Sequence, residues 1–236
     1  MLVDAHCHAY EFSEKELEKY QSIRIVCVSE DLESSRKSLE LSEKFPNIVP
    51  FVGLHPWNVA DVSKTELDEV LKLIDREEVF GIGEVGLDKR KAVSYERQKE
   101  FFQKFCEASR EYGLPMNIHA LDSWTEVLEM LRRYDIESAV LHWYSGPVEL
   151  LEELSEDGYM ITINPAVKIQ NKHRRVLEEV DLDMILTESD GPYHYRGLDL
   201  KPDMISELVK FIAEVKGVAP STVEDFVESN LRRFLR

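Results

Sequence analysis

Several things are scarce in this chain of 236 residues, and each scarcity removes a class of protein. Three cysteines, Cys7, Cys27 and Cys106, are an odd number without framework spacing, which argues against a disulfide scaffold and reads as reduced thiols. Basic residues are outnumbered 46 to 29, leaving a formal charge of −17. A non-specific duplex binder needs a broad basic face, so that class is disfavoured, although a few phosphates can still be held in a locally basic pocket. No run is long and apolar enough to cross a bilayer. The start, Met1-Leu2-Val3-Asp4, has neither the basic nor the apolar region of an export signal, so the expected location is cytoplasmic, away from membranes. With 10 glycines and 9 prolines there is no linker-like or low-complexity tract, and no internal sequence repeat divides the chain. Amides are few as well, four Gln and six Asn, a trait shared with heat-adapted proteins.

What remains is a soluble globular balance, 43% hydrophobic and 32% charged, arranged in alternation. Eight short, nearly continuous apolar runs read as strands covered on both faces: Leu2–Ala5, Ile23–Val28, Ile48–Gly53, Val79–Gly83, Pro115–Ile118, Ala139–Leu141, Tyr159–Ile163 and Met184–Leu186. Helical spacing fills the intervals at Ser13–Tyr20, Leu32–Lys44, Lys64–Arg76, Ser94–Tyr112, Trp124–Tyr134, Pro147–Glu156 and Arg174–Val180, and two further helices, Asp203–Lys216 and Ser221–Leu235, close the chain. Ser63 before Lys64, with Glu66 three residues on, is a helix start signal, and Gly113 and Gly158 stand where helices end. Strands alternating with helices imply right-handed crossovers and a parallel sheet. Eight repeats predict a closed (β/α)8 TIM barrel, one domain over residues 1–236.

Position then matters more than composition. His6 and His8 follow the first predicted strand and His55 the third; Glu84 follows the fourth, His119 the fifth, His142 the sixth and Asp190 the eighth. In a (β/α)8 barrel those strand ends meet at one face, where catalytic groups gather. His6 and His8, two apart in extended backbone, share a side while Cys7 points away as a packed thiol. Glu84, beyond an apolar strand, is costly to bury unless paired or coordinated, and bridging two cations satisfies both its oxygens. His119 and His142, taken singly, read as hydrogen-bonded core histidines; on adjacent strands beside a carboxylate they suit Zn or another transition ion. Asp190 can be a turn former, or a ligand and proton acceptor. The predicted metal ligands are therefore His6, His8, Glu84, His119, His142 and Asp190, holding two divalent ions (Zn, Mn or Mg), with Asp190 and Glu84 in catalytic roles.

Around them, His55 reads as a residue that supports the site or touches substrate. Lys89, Arg90, Lys91 and Arg196 are candidates to place positive charge at the mouth, and His194 is a further substrate contact. His173, beside Arg174 and Arg175, is expected in solvent. Acidic runs such as Glu66–Glu69 and Glu149–Glu153 read as solvated helix faces.

Six segments together resemble the TatD family of metal-dependent deoxyribonucleases, within the amidohydrolase superfamily. They are Asp4-Ala5-His6-Cys7-His8, Gly53-Leu54-His55-Pro56, Gly83-Glu84-Val85-Gly86-Leu87-Asp88, Ile118-His119, His142-Trp143-Tyr144-Ser145-Gly146 and Glu188-Ser189-Asp190-Gly191-Pro192-Tyr193, with later echoes in Arg196-Gly197 and Asn230-Leu231-Arg232. The resemblance spans essentially the whole chain. It implies a TIM barrel, divalent metals and hydrolysis of DNA phosphodiesters, with His6, His8, Glu84 and Asp190 around one ion, and Glu84, His119 and His142 around the other. Departures from the family pattern fall on pocket-lining positions: Ala120-Leu121 where a small residue and arginine are usual, Lys89-Arg90 for aromatics, Trp143 for cysteine, and Gly191 before Pro192. The expected substrate is a DNA 3′ end. A small ester, lactone or amide on the same centre is the open alternative, and a non-catalytic metal-stabilised scaffold is a third reading. Oligomeric state is not legible.

Overall fold

A computed structural model describes residues 1–75, 78–91 and 95–236. Its eight parallel strands are β1 (Leu2–Cys7), β2 (Ile23–Cys27), β3 (Ile48–Val52), β4 (Gly81–Asp88), β5 (Met116–Leu121), β6 (Ala139–Leu141), β7 (Met160–Ile163) and β8 (Ile185–Thr187), hydrogen-bonded in sequence order. The helices are α1 (Glu14–Leu17), α2 (Leu32–Lys44), α3 (Lys64–Ile74), α4 (Tyr95–Tyr112), α5 (Trp124–Arg133), α6 (Leu150–Glu156), α7 (Asn171–Glu179), α8 (Ile205–Lys216) and α9 (Pro220–Phe234). This is the TIM barrel that the alternation predicts. Two expected helix residues, Arg76 and Ser94, lie outside the described residues.

Local chemistry sets the helix limits. Ser63 Oγ accepts the Glu66 amide at 3.1 Å, capping α3 as its spacing predicts, and Asp31 caps α2 through the Ser34 amide at 2.7 Å. Each helix turns an apolar stripe onto the sheet; in α5, Val127, Leu128 and Leu131 are buried while Arg132 and Arg133 face out. Among the described residues, no helix is long and apolar enough to cross a membrane.

The structure corrects several boundaries. β4 does not end at Gly83; it runs to Asp88, so Glu84 lies within a strand rather than beyond it. Glycines at 83 and 86 and acids at 84 and 88 hide that strand from a reading based on apolar continuity. α6 begins at Leu150, not Pro147, and α1 gives way to a 3-10 turn at Glu18–Tyr20. Between β8 and α8 a short hairpin, β9 (Tyr193–Tyr195) with β10 (Leu198–Leu200), is an addition that periodicity did not reveal.

His173 is the plainest reversal: it is fully buried, not in solvent. It sits in the first turn of α7 with its ring turned inward, where Nε2 accepts the Asn164 amide (3.0 Å) and Nδ1 donates to the Tyr144 carbonyl (2.7 Å). The neutral ring is thus fully satisfied, and burial pulls its pKa from 6.5 down to about 4.

The seam between the last strand and the first is closed by side chains as well as backbone. Thr187 Oγ1 donates to the Val3 carbonyl (2.6 Å), the Ser189 amide to Asp4 Oδ1 (2.8 Å) and the Asp190 amide to the His6 carbonyl (2.9 Å). Closing the barrel therefore also brings His6 against Asp190.

Two outcomes follow for stability. Thr187→Val deletes a buried hydrogen bond and should lower unfolding stability by about 1 kcal/mol in urea titration; an unshifted midpoint would show the seam is held otherwise. His173, with a depressed folded-state pKa, stabilises fully above its unfolded value and progressively less as pH falls from 6.5 to about 4. The full window corresponds to roughly 3 kcal/mol. His173→Gln should flatten that part of the stability–pH curve, whereas an identical slope would remove His173 as its source.

Candidate metal centre

Two irregularities in the sheet aim the central side chains. The β1–β2 register shifts between Asp4 and Cys7, around His6, and the β4–β5 register shifts between Ile82 and Val85, around Glu84. Such shifts re-aim side chains beside functional sites. The Glu84 amide is then anchored on the Ser29 carbonyl at 2.8 Å. Beyond the shift, Gly86 has φ of 142°, and a Cβ there would stand 2.0 Å from the His119 carbonyl oxygen, so β4 and β5 can approach only with glycine at that position.

The result is a fully buried carboxylate with two occupied sides. Glu84 Oε2 lies 3.4 Å from His6 Nε2 and 3.6 Å from His8 Nε2. Both of those nitrogens also stand 3.4 Å from Asp190 Oδ1. Glu84 Oε1 faces the other way, 2.8 Å from His119 Nδ1, 2.9 Å from His142 Nε2 and 3.1 Å from His55 Nε2. All six predicted ligands converge at one barrel end. His55, expected beside the ligands, accepts the Trp57 amide on Nδ1 at 3.1 Å, so its neutral ring turns Nε2–H toward Glu84 Oε1, 3.3 Å from His119 Nδ1. Glu30 was missed: it forms a donor group with His8 and Glu84, and its place just after β2 is the strand-end signal used for the others.

The outer nitrogens show what these rings are prepared to hold. His6 Nδ1 donates to Asn117 Oδ1 at 2.7 Å, and Asn117 Nδ2 donates to the Ala5 carbonyl at 2.8 Å, which fixes the amide's orientation. That leaves His6 Nε2 as a bare lone pair, buried and without a hydrogen bond, directed at two carboxylates. Lone pairs facing lone pairs repel unless a cation lies between them. His119 repeats the arrangement: Nε2 stands 3.2 Å from Asp88 Oδ2, leaving Nδ1 for the centre. Asp88 is itself held by Trp57 Nε1 (2.6 Å) and the Arg90 amide (2.7 Å). His142 Nδ1 is 3.7 Å from buried Glu188 Oε2, which accepts a hydrogen bond from Thr162 Oγ1 at 2.5 Å. The donor set of imidazoles and carboxylates with oriented outer nitrogens fits a divalent transition ion.

Electrostatics agree with that fit. Burial raises the pKa of Glu84, yet His55, His142 and His6 together hold it well below the carboxylate range. Burial lowers the pKa of His6, but Glu84 and Asp190 carry it well above its ordinary value. A field that favours a proton on those nitrogens favours a metal cation in its place.

A cavity of about 290 Å³ opens onto the centre, reaching Glu84, His119, His142 and Asp190. Its walls include the large aromatic side chains Trp57, Trp124, Trp143, Tyr193 and Tyr195. Of the predicted substrate contacts, His55 and Arg90 line it. Arg90 is forked onto Asp122. Lys89 pairs instead with Glu126 at 3.2 Å, and Arg196 occupies the hairpin turn against the Tyr195 ring, so neither is brought to the cavity wall. Lys91 lies over the Trp57 ring, and His194 is exposed and bonded to Asp199.

Comparison with known proteins decides the relationship: the family model described as TatD related DNase matches residues 3–236. The chain belongs to the TatD family. It is 31% identical over 245 residues to an uncharacterized metal-dependent hydrolase of Methanocaldococcus jannaschii, covering 99% of this chain and 96% of that protein. It is 27% identical over 256 residues to tatdn3 of Danio rerio, named as a candidate deoxyribonuclease, covering 98% and 96%. The fold is shared with the solved TatD homologue YjjV of Escherichia coli (TM-score 0.88, 22% identity, 97% and 95% covered). A more distant likeness is the phosphotriesterase homology protein of E. coli, solved with phosphate in its active site (TM-score 0.73, 13% identity, 100% and 98% covered). This chain is accordingly a TatD-family metal-dependent hydrolase.

Asp88 offers a direct check on the outer nitrogens. Asp88→Ala should weaken metal affinity by about ten- to a hundredfold in chelator competition, by freeing the His119 ring to change tautomer. Unaltered affinity would mean His119 is oriented without it.

Proposed function

We propose that the protein is a TatD-type deoxyribonuclease that cleaves DNA phosphodiesters at a centre for two divalent ions. The observation that carries this reading is the division of Glu84: each carboxylate oxygen faces its own group of imidazoles. His6, His8 and Asp190 would hold one ion with Glu84 Oε2, and His119 and His142 the other with Glu84 Oε1; His55 stands beside the second group. An imidazole-rich set suits Zn or Mn better than Mg. Bound there, the ions supply Lewis acidity toward a phosphoryl oxygen and lower the pKa of water.

The chain's own part is orientation and proton handling. Asp190 lies on the cavity wall with Oδ1 turned to His6 and His8, so its carboxylate is placed to take a proton from an incoming water and return it to the leaving oxygen. Asp190 is the proton carrier in this reading, and Glu84 is the bridge. Support for phosphoester chemistry comes from the family description and from the phosphate in the active site of the E. coli phosphotriesterase homology protein. An open cavity at the donors suits turnover better than a sealed structural site does.

A second reading, hydrolysis of a small ester, lactone or amide, has one observation behind it. Ala120 and Leu121 line the cavity, and its wall arginine, Arg90, is already paired with Asp122.

Metal-loaded protein should release nucleotides from a single-stranded oligonucleotide, lose that activity on chelation and regain it with Zn or Mn. Glu84→Gln should lower turnover by at least about a thousandfold and reduce metal content from two ions per chain, read by elemental analysis. Normal turnover in the variant sinks the bridge, and rapid ester cleavage with no oligonucleotide cleavage favours the second reading.

A further inference from the structure

The aromatic wall of the cavity is built more deliberately than substrate enclosure requires. Tyr193 and Tyr195 are two apart on β9, so their rings stand on one side of the hairpin, with centroids 6.5 Å apart and planes 25° from parallel. The Trp143 indole meets both at nearly right angles, 5.0 Å from Tyr195 (74°) and 6.3 Å from Tyr193 (81°). Trp143 adopts φ of 41°, a conformation bulky residues rarely take, and its amide is tied to Thr162 Oγ1 at 2.7 Å. Gln170 then joins two of the rings by their polar edges. Its Oε1 accepts from Trp143 Nε1 (3.0 Å) and its Nε2 donates to the Tyr195 hydroxyl (2.5 Å). With those edges engaged and Arg196 over one face of Tyr195, all three rings still line the cavity and leave part of their surface to a ligand. Tyr193 is 44% exposed, so the group is not core packing.

We propose that Trp143, Tyr193 and Tyr195, braced by Gln170, form a stacking subsite for an unpaired nucleobase of the substrate. This rests on the deoxyribonuclease reading and specifies how that substrate is gripped. Placement is the first support: Trp143 directly follows His142, and Tyr193 comes three residues after Asp190, so the subsite adjoins the donor set from both sides. The base it holds therefore belongs to a nucleotide at the scissile phosphate. Charge is the second support. The chain carries −17 overall and the arginine lining the cavity is paired with Asp122, which leaves Lys91 on the Trp57 ring and Arg196 on the Tyr195 ring beside the cavity, so attraction of the phosphate backbone rests on few basic side chains. Stacking on aromatic rings, worth about 1–3 kcal/mol per base, supplies affinity without charge. A paired base has both faces covered by its neighbours and cannot use such rings, so the subsite selects single strands or frayed ends.

The test uses the metal-loaded enzyme and two probes that differ only in the base. In binding assays read by tryptophan fluorescence, dTMP should quench the wild type, and 2-deoxyribose 5-phosphate should quench it at least about tenfold more weakly. Trp143→Phe should remove most of the quench. Trp143→Ala and Tyr195→Ala should bring the two probes within about twofold of each other; Gln170→Ala should weaken dTMP selectively, and Gln170→Glu, which keeps the acceptor for Trp143 Nε1, should restore part of the loss. In turnover, KM for a single-stranded oligonucleotide should rise about ten- to a hundredfold in Trp143→Ala, with kcat much less affected. Equal binding of the two probes by the wild type overturns the subsite, as does an equal loss of both in Trp143→Ala. Because binding of dTMP needs no bond cleavage, a wild type that fails to cut DNA refutes the deoxyribonuclease reading while the base preference still decides the subsite.

Discussion

A buried carboxylate surrounded by imidazoles is the constraint on which the rest of this molecule turns. Glu84 is 2% exposed and loses the hydration that would stabilise its charge. Five histidines, His6, His8, His55, His119 and His142, approach its two oxygens from opposite sides, so its charge is stabilised by a proton or a cation held between those nitrogens and the carboxylate. Those histidines come from β1 and its end, from β5 and from the ends of β3 and β6, so only a closed barrel can supply them together. The seam that closes the barrel, with Asp190 bonded to His6 and Ser189 to Asp4, is also what completes the first donor group. Fold and site share the same hydrogen bonds.

Around that core lies a shell of acceptors that fixes which nitrogen His6 and His119 present. Asn117 and Asp88 engage the outer nitrogens of His6 and His119, and the Glu188 carboxylate stands near that of His142. Each is buried, and each is held by a further partner, Ala5, Trp57 and Thr162 respectively. This layering keeps lone pairs pointed inward, the state a cation requires and an unoriented histidine reaches only part of the time. His173 shows the contrasting case. Both its nitrogens are satisfied by backbone, so it has nothing to offer an ion and serves the packing of α7.

Strand-end position made the six predicted ligands legible, because a parallel barrel gathers the carboxyl ends of all its strands. The same rule reaches Glu30 after β2, a carboxylate that stands in none of the motif segments. Asp88 and Asn117 were harder to find. They lie inside β4 and β5, where spacing cannot show which ring nitrogen a side chain will meet. Lys89 and Arg196 failed to reach the cavity because long cations on loops go to the nearest carboxylate or ring: Lys89 meets Glu126 of α5, and Arg196 lies over its own neighbour Tyr195 at the hairpin turn. The two tyrosines of the aromatic wall came from a hairpin too short to carry any periodic signal.

The sequence alone determined the repeat of strand and helix, the barrel class and which side chains gather at the strand ends as proposed ligands, because hydrophobic period and order along the chain are local properties. Tertiary structure decided how those side chains are used. It placed Glu84 inside a strand with an oxygen for each donor group, turned His55 toward the centre and buried His173. It also set Trp143 against the two hairpin tyrosines. Each of those outcomes depends on register shifts, ring orientation and contacts between strands far apart in the chain, and such quantities exist only once the barrel has closed.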